Sequence, residues 1–100
     1  MDHVRYIVVH RPGPGWLTGV DFREQPDVMA HVIHYRKLFE DGKLEIGGPF
    51  LTPDKGGMMI PTPDVGRDEI EVFAAADPAV QSGLLVAEIM EWYTPMQKSS

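Results

Sequence analysis

Segments with the period of a β-strand and segments with the period of a helix follow one another along this chain in a defined order. Runs rich in β-branched and aromatic residues predict four strands, and two apolar stripes with spacings of three and four residues predict two helices. The strands are expected at 3–11, 44–50, 56–61 and 84–92, and the helices at 27–41 and 62–76. This order is typical of the α+β, ferredoxin-like βαββαβ fold, a four-stranded antiparallel sheet with both helices on one face.

The first helix is the element that the sequence defines best. Pro26 suits a first helical position, Asp27 suits the positive end of the helix dipole, and Gly42 suits the helix end. The second helix is expected to start at Thr62–Pro63–Asp64. The apolar stripe of the first helix consists of Val28, Met29, Val32, Tyr35, Leu38 and Phe39.

Two of the predicted strands lack the alternation of a half-exposed antiparallel sheet. Residues 6–9 and 84–87 are apolar without interruption, which is typical of strands that are covered on both faces. Two helices can cover only one face of the sheet. We therefore expect a homodimer that packs sheet to sheet through the other face, because leaving it in water would cost several kcal/mol at ~25 cal/mol per Å².

Length and composition limit the classes of protein that this chain can belong to. Its 100 residues suit one domain, expected at 1–96 with a frayed tail at 97–100. A net charge of −6 argues against nucleic-acid binding, and the lack of cysteine excludes thiolate chemistry and Cys-ligated metals. No apolar run approaches the ~20 residues of a membrane span and no secretion signal is recognisable, so we expect a cytoplasmic protein.

His31 and Asp77 are the best candidates for an acid–base pair. His31 falls about 60° from the centre of the apolar stripe, at the border of the buried face, where a histidine could also be merely structural. Asp77 precedes Pro78, and its role as the N-cap of the following turn would explain it completely. The two roles are compatible, because a carboxylate has one oxygen for the cap and one for a histidine.

Other polar positions have simpler explanations. His34 is expected on the solvent side of the helix. His31 and His34 could together ligate a metal, but no third ligand is indicated, so neither metal nor cofactor is predicted.

The long loop at 12–26 could close over a ligand with Trp16 and Phe22. Arg23 in this loop could bind a polar substrate or form a solvated charge pair with Glu24. Glu88 could lie in an interface cleft or face solvent.

Several motifs in the chain resemble the YCII-related family. They are HVIHYRKLFEDGKLEIGGPF, GGMMI and FAAADPAVQSGLLVAEIMEW, and together the resemblance covers about residues 3–95. It implies a dimeric α+β barrel with a histidine and an aspartate in each active site, and these fall on His31 and Asp77. The Gly-Gly-Pro motif falls on Gly47, Gly48 and Pro49, where a plain bend is the alternative. The front loop is longer and richer in proline and glycine than the family pattern.

The family includes a dehydrochlorinase that acts on a chlorinated hydroxyhydroquinone, and wider relatives of the barrel include muconolactone isomerase, small monooxygenases and haem enzymes. The resemblance thus implies a cofactor-free enzyme that uses the dyad on a small hydroxylated aromatic or lactone-like substrate. The candidates for binding that substrate are Arg23, Tyr35, Gly48 and Pro49. The alternatives are a non-catalytic protein that binds a small molecule, and a haem- or metal-dependent barrel.

Overall fold

The computed structural model describes residues 3–98 and has the expected order of strands and helices. The strands are β1 (Val4–Pro12), β2 (Leu44–Pro49), β3 (Gly57–Pro61) and β4 (Leu85–Tyr93). The helices are α1 (Val28–Glu40), α2 (Arg67–Ala75) and a single turn, α3 (Pro78–Gln81), and a short 3₁₀ helix at Phe22–Glu24 lies in the loop after β1.

The four strands form one antiparallel sheet in the order β2-β3-β1-β4. β1 is central and pairs with β3 on one side and along its full length with β4 on the other. The α+β architecture and the ferredoxin-like prediction are thereby confirmed. The central position of β1 matters for the site, because side chains on its helix-facing side reach the middle of the core.

The main core lies between the helices and one face of the sheet. Val8 of β1, which is fully buried, packs with Met59 of β3 and with Ile70 of α2. Burying one large apolar side chain of this kind stabilises the fold by roughly 1.5–3 kcal/mol. The other buried members of this core are Tyr35, Leu38, Val65 and Ala74.

The opposite face of the sheet is also apolar, and much of it is exposed. Residues paired directly across antiparallel strands share a face, so Ile7 lies beside Met90, and Val9 lies beside Met58. Met90 is 41% exposed and Trp92 is 43% exposed. Glu88 belongs to this face as well, where it pairs with Arg11, so it lies on the opposite face of the sheet from the dyad.

Both predicted helix starts were too early. Pro26 and Asp27 form a turn, and Asp27 adopts a left-handed conformation (φ 63°) at the N-cap without a side-chain capping bond. The chain turns there because the preceding Gln25 is buried in the loop. Similarly, α2 begins at Arg67 rather than at Thr62, because the turn after Thr62 places Val65 in the core before the helix starts.

The buried face of α1 also differs from the predicted stripe. His34 was expected on the solvent side but is buried, stacked on Phe73 of α2 at a ring distance of 4.0 Å, and its Nε2 lies 2.7 Å from the Phe73 carbonyl oxygen. Met29 and Phe39 are instead 63% and 59% exposed. The reason is that α2 packs beside α1 and shifts the buried face toward His34, which leaves Met29 and Phe39 beside an open cavity.

Within residues 3–98, no helix combines the length and the apolar character that a membrane crossing requires. The predicted tail at 97–100 ends with two serines, 99 and 100, that lie outside the described residues.

Candidate functional site

His31 and Asp77 meet where the middle of the core opens into a cavity. His31 lies in the first turns of α1, and Asp77 precedes the first residue of α3. The His31 Nδ1 atom lies 2.5 Å from Asp77 Oδ2, while Asp77 Oδ1 accepts a hydrogen bond of 2.9 Å from the backbone N–H of Ala79. One carboxylate therefore caps α3 and pairs with the histidine at the same time.

The partner of Nδ1 determines which histidine nitrogen carries a lone pair. An ionised carboxylate can only accept hydrogen bonds, so His31 Nδ1 must carry the proton that it shares with Asp77. In the neutral ring, the Nε2 atom on the other edge is then the basic nitrogen. Because the His31 side chain is 13% exposed and lines the cavity, this basic nitrogen is available to a ligand.

Asp77 is fully buried yet retains its charge. Burial alone would raise the pKa of its carboxyl group, but the hydrogen bond from His31, the charge on that ring and the backbone N–H of Ala79 outweigh burial. The net result is a pKa below the ordinary value. Asp77 can therefore stabilise a positive charge on His31 throughout the neutral range.

His10 is a third member of this cluster, and the sequence analysis did not single it out. It is 2% exposed, its ring centroid lies 4.9 Å from that of His31, and its Nε2 lies 3.9 Å from Asp77 Oδ2. Burial and the neighbouring His31 charge lower the pKa of His10 to about 4, although the Asp77 charge opposes the shift. The signal in the sequence was alternation, because His10 lies two residues after Val8 on the helix-facing side of β1.

Tyr35 completes the polar end of the cavity. Its hydroxyl lies 3.5 Å from His10 Nε2, and its ring lies 5.2 Å from the His31 ring. Burial and the charge of Asp77 raise the pKa of this phenol above its usual range, so it keeps its proton and donates hydrogen bonds. A ligand at this end would meet a basic nitrogen on His31 beside a phenol that does not ionise.

His10, His31 and Asp77 also carry atoms of the kind that bind metal ions. One nitrogen or oxygen atom each from His10, His31 and Asp77 lies within 4.8 Å of the others. Ligand atoms around a tetrahedral metal with bonds of ~2.1 Å lie about 3.4 Å apart. The 2.5 Å between His31 and Asp77 instead has the geometry of a hydrogen bond, which a metal ion would have to break.

The cavity next to the dyad has a volume of about 620 Å³ and mostly apolar walls. This size suits a small organic molecule. The candidate binding residues Arg23, Tyr35, Gly48 and Pro49 all line it. Arg23 forms an ion pair with Asp21 at 3.3 Å and packs over the Phe22 ring, rather than pairing with Glu24.

The loop at 12–26 forms a wall of this cavity and is tied down at two points. The buried Gln25 side chain accepts from the Leu17 N–H and donates to the carbonyl oxygens of Leu17 and Val20, at 2.8–2.9 Å. Trp16 Nε1 donates to Asp54 Oδ1 at 2.8 Å, across to the turn between β2 and β3. These hydrogen bonds hold the loop against the turn between β2 and β3, so that it closes one side of the cavity.

The two glycines of the Gly-Gly-Pro motif have different surroundings. A Cβ atom on Gly47 would lie 2.4 Å from Met59 Sδ and 3.1 Å from the Met58 carbonyl oxygen, so a side chain here would displace Met59 and crowd the neighbouring strand. A Cβ atom on Gly48 would meet nothing within 4 Å. Close packing thus accounts for Gly47, whereas nothing in the packing requires glycine at position 48.

Comparisons with known proteins support one family. A family model for the YCII-related domain matches residues 4–93, which includes every strand and helix described above. No curated protein and no solved structure gave a match. Since the model spans nearly the whole chain, the chain belongs to the YCII-related family.

Proposed function

We propose that this protein is a small enzyme that needs no cofactor and uses His31 and Asp77 for general acid–base chemistry. The proposal rests chiefly on the 2.5 Å contact between His31 Nδ1 and Asp77 Oδ2 at the polar end of a ligand-sized cavity. A histidine oriented by a buried carboxylate is a common general base, with the carboxylate fixing the tautomer and stabilising the imidazolium.

The substrate class is a small hydroxylated aromatic or lactone-like compound, and the reaction is an elimination of the dehydrochlorinase type or an isomerisation. In an elimination, His31 Nε2 takes a proton from the substrate and the electron pair of that bond expels chloride. In an isomerisation, the same nitrogen removes a proton and returns it to another carbon. Both reactions require only proton transfers by the protein, and Tyr35 would stabilise negative charge that develops on a substrate oxygen.

The protein is proposed to act as a homodimer that packs sheet to sheet. The support is the apolar outer face, where Ile7, Val9 and Met58 lie beside the partly exposed Met90 and Trp92. An apolar patch of this kind, bordered by the Arg11–Glu88 ion pair, is typical of an interface.

Deuterium exchange tests the enzymatic proposal. Phenols, chlorinated hydroquinones and unsaturated lactones are incubated with the protein in D₂O, and proton NMR follows the loss of carbon-bound hydrogen. We expect exchange or turnover that is lost in His31→Gln and reduced by about 10²–10⁴-fold in Asp77→Asn. The exposed His3 provides the control, and His3→Gln should retain the full rate. Unchanged turnover in His31→Gln would contradict the proposal.

A second candidate function is non-catalytic binding of a small molecule. The observation that favours it is the mostly apolar lining of the cavity, in which the dyad would act as a polar anchor. Compounds that bind tightly to the wild type but show neither exchange nor turnover, while losing affinity in His31→Gln, would support this function instead.

A further inference from the structure

The charged side chains that line the cavity are not all neutralised within the protein. They are Arg23, Arg36 and Glu45. Glu45 pairs with the buried Arg5 at 2.8 Å, and Arg23 pairs with Asp21. The guanidinium group of Arg36 has no ion pair or hydrogen bond to any residue in the described range 3–98. Arg36 is exposed and lines the cavity, so it places an unpaired positive charge at the open side of the cavity, although the protein as a whole carries −6.

Arg36 lies on the same side of α1 as the apolar side chains that line the cavity. At 100° per residue, it projects within about 20° of Met29 and about 40° of Val32. Met29 is 63% exposed and Val32 is 37% exposed, and both line the cavity. An anionic group bound to Arg36 would therefore be attached to an apolar body that lies against these two side chains.

The helix geometry also separates Arg36 from the dyad. Arg36 follows His31 by five positions in α1, which separates their Cα atoms by about 7.5 Å along the helix axis and about 140° around it. A ligand that reaches both must be elongated, with its charged group at one end and its reacting group at the other. Two fused rings or one substituted ring fit the cavity volume of about 620 Å³.

We propose that the cavity takes an elongated apolar carboxylate, with the carboxylate bound by Arg36 and the opposite end placed against His31. The reacting end rests on the proposed function, whereas the carboxylate end rests on Arg36 and the cavity walls alone. Arginine suits this role because its planar guanidinium group can form two parallel hydrogen bonds to one carboxylate. The substrate class is thereby narrowed from hydroxylated aromatics or lactones in general to those that carry an acid group.

A matched pair of probes tests the proposal without knowledge of the substrate. 2-Naphthoate and 2-naphthamide have nearly the same shape, and only the first is charged. Titration calorimetry at low salt should give roughly three- to tenfold tighter binding for 2-naphthoate, with a difference that shrinks as salt is added. Arg36→Gln should remove this preference and leave the affinity for 2-naphthamide unchanged.

The neighbouring Lys37 supplies the control for charge alone. It is exposed and does not line the cavity, so Lys37→Gln changes the net charge by the same amount and should keep the preference for 2-naphthoate. Equal affinities of the two probes for the wild type, failure of both probes to bind, or equal effects of Arg36→Gln and Lys37→Gln would each overturn the proposal.

Failure of this proposal can be told apart from failure of the proposed function. His31→Gln should retain the preference for 2-naphthoate while abolishing deuterium exchange. A lost preference with intact exchange would overturn only the role of Arg36. A retained preference with exchange that survives His31→Gln would overturn only the dyad.

Discussion

Asp77 binds the His31 ring through one carboxylate oxygen and the backbone N–H of Ala79 through the other. The pairing links two residues that are 46 positions apart to the start of a single helical turn. Changes at Asp77 therefore alter both the local structure and the chemistry, and suitable variants can separate the two effects.

Asp77→Asn should separate the two effects of Asp77, which are the capping of α3 and the choice of tautomer in the His31 ring. The Asn carbonyl can still accept from Ala79, but its amide group would donate toward His31 and force the proton from Nδ1 to Nε2. Nitrogen-15 NMR of the imidazole ring should then report protonated Nε2 in the variant and protonated Nδ1 in the wild type. Asp77→Ala, which also loses the cap, should lower the free energy of unfolding by about 1–2 kcal/mol more than Asp77→Asn. The same tautomer in the wild type and in Asp77→Asn would contradict the assignment.

His10 should make the protein less stable in mild acid. Its pKa is about 4 in the folded protein and 6.5 in an unfolded chain, so below pH 6.5 the unfolded chain takes up a proton that the folded one does not. The free energy of unfolding should therefore decrease as the pH falls from 6.5 to about 4, by up to roughly 3 kcal/mol, and His10 should contribute no further loss below that.

Urea unfolding at several pH values measures this effect. His10→Gln should flatten the decrease between pH 6.5 and 4, whereas the exposed His3→Gln should leave it unchanged. Asp77 affects stability at lower pH than His10 does. Its pKa is lowered in the folded protein, so the ionised carboxylate stabilises the fold at pH values above its ordinary pKa of 3.8. This contribution is lost as the pH falls through the pKa of the folded protein. An unaltered slope in His10→Gln would show that the ring is accessible to protons in the folded state.

Adding one methyl group at Gly47 should have a larger effect than adding it at the next residue. Gly47→Ala would place Cβ 2.4 Å from Met59 Sδ and displace that core side chain, so we expect a loss of about 1–3 kcal/mol in the free energy of unfolding. Gly48→Ala meets open space and should change stability by less than about 0.5 kcal/mol. Thermal and urea unfolding provide both values, and equal losses would rule out the packing explanation.

The proposed dimer predicts that a charge on the outer sheet face will produce monomers. Met90→Lys would place an ammonium group beside Ile7 in the centre of that face, and light scattering after size-exclusion chromatography should report a mass near 11 kDa instead of twice that value. Val72 of α2 is 72% exposed on the other side of the molecule, so Val72→Lys should remain dimeric. A monomeric wild type, or dimers in both variants, would exclude this interface.

The loop wall depends on Gln25. Gln25→Ala leaves the Leu17 N–H and the carbonyl oxygens of Leu17 and Val20 without their partner, which should cost about 1–3 kcal/mol locally. Limited proteolysis should then cut within 13–25 faster than in the wild type. Gln81→Ala is the control, because its one bond, to the Ala75 carbonyl oxygen, is long and exposed. Equal cleavage of the loop in all three proteins would mean that Gln25 does not hold it.

The sequence allowed the order of strands and helices along the chain, the first helix and the His31–Asp77 contact to be predicted, because each depends on local patterns or on the family motifs. It did not allow the surroundings of α1 to be predicted. The position of His34 depends on how α2 packs beside α1, and the helical period of α1 does not contain that information. His10 was missed because alternation along β1 places it on the same face as Val8 but does not indicate which side chains lie opposite, and only the packing of α1 and α3 on the sheet places it beside Asp77.

The burial of the dyad has a consequence for the fate of the transferred proton. Asp77 and His10 are 0% and 2% exposed, and His31 contacts solvent only to 13%. A ligand that fills the adjoining cavity separates the His31 ring from bulk water during turnover. The hydrogen taken from one carbon of the substrate should then exchange with solvent more slowly than it returns to the product, so an isomerisation in D₂O should incorporate less than one deuterium per turnover, and least for the ligands that fill the cavity best.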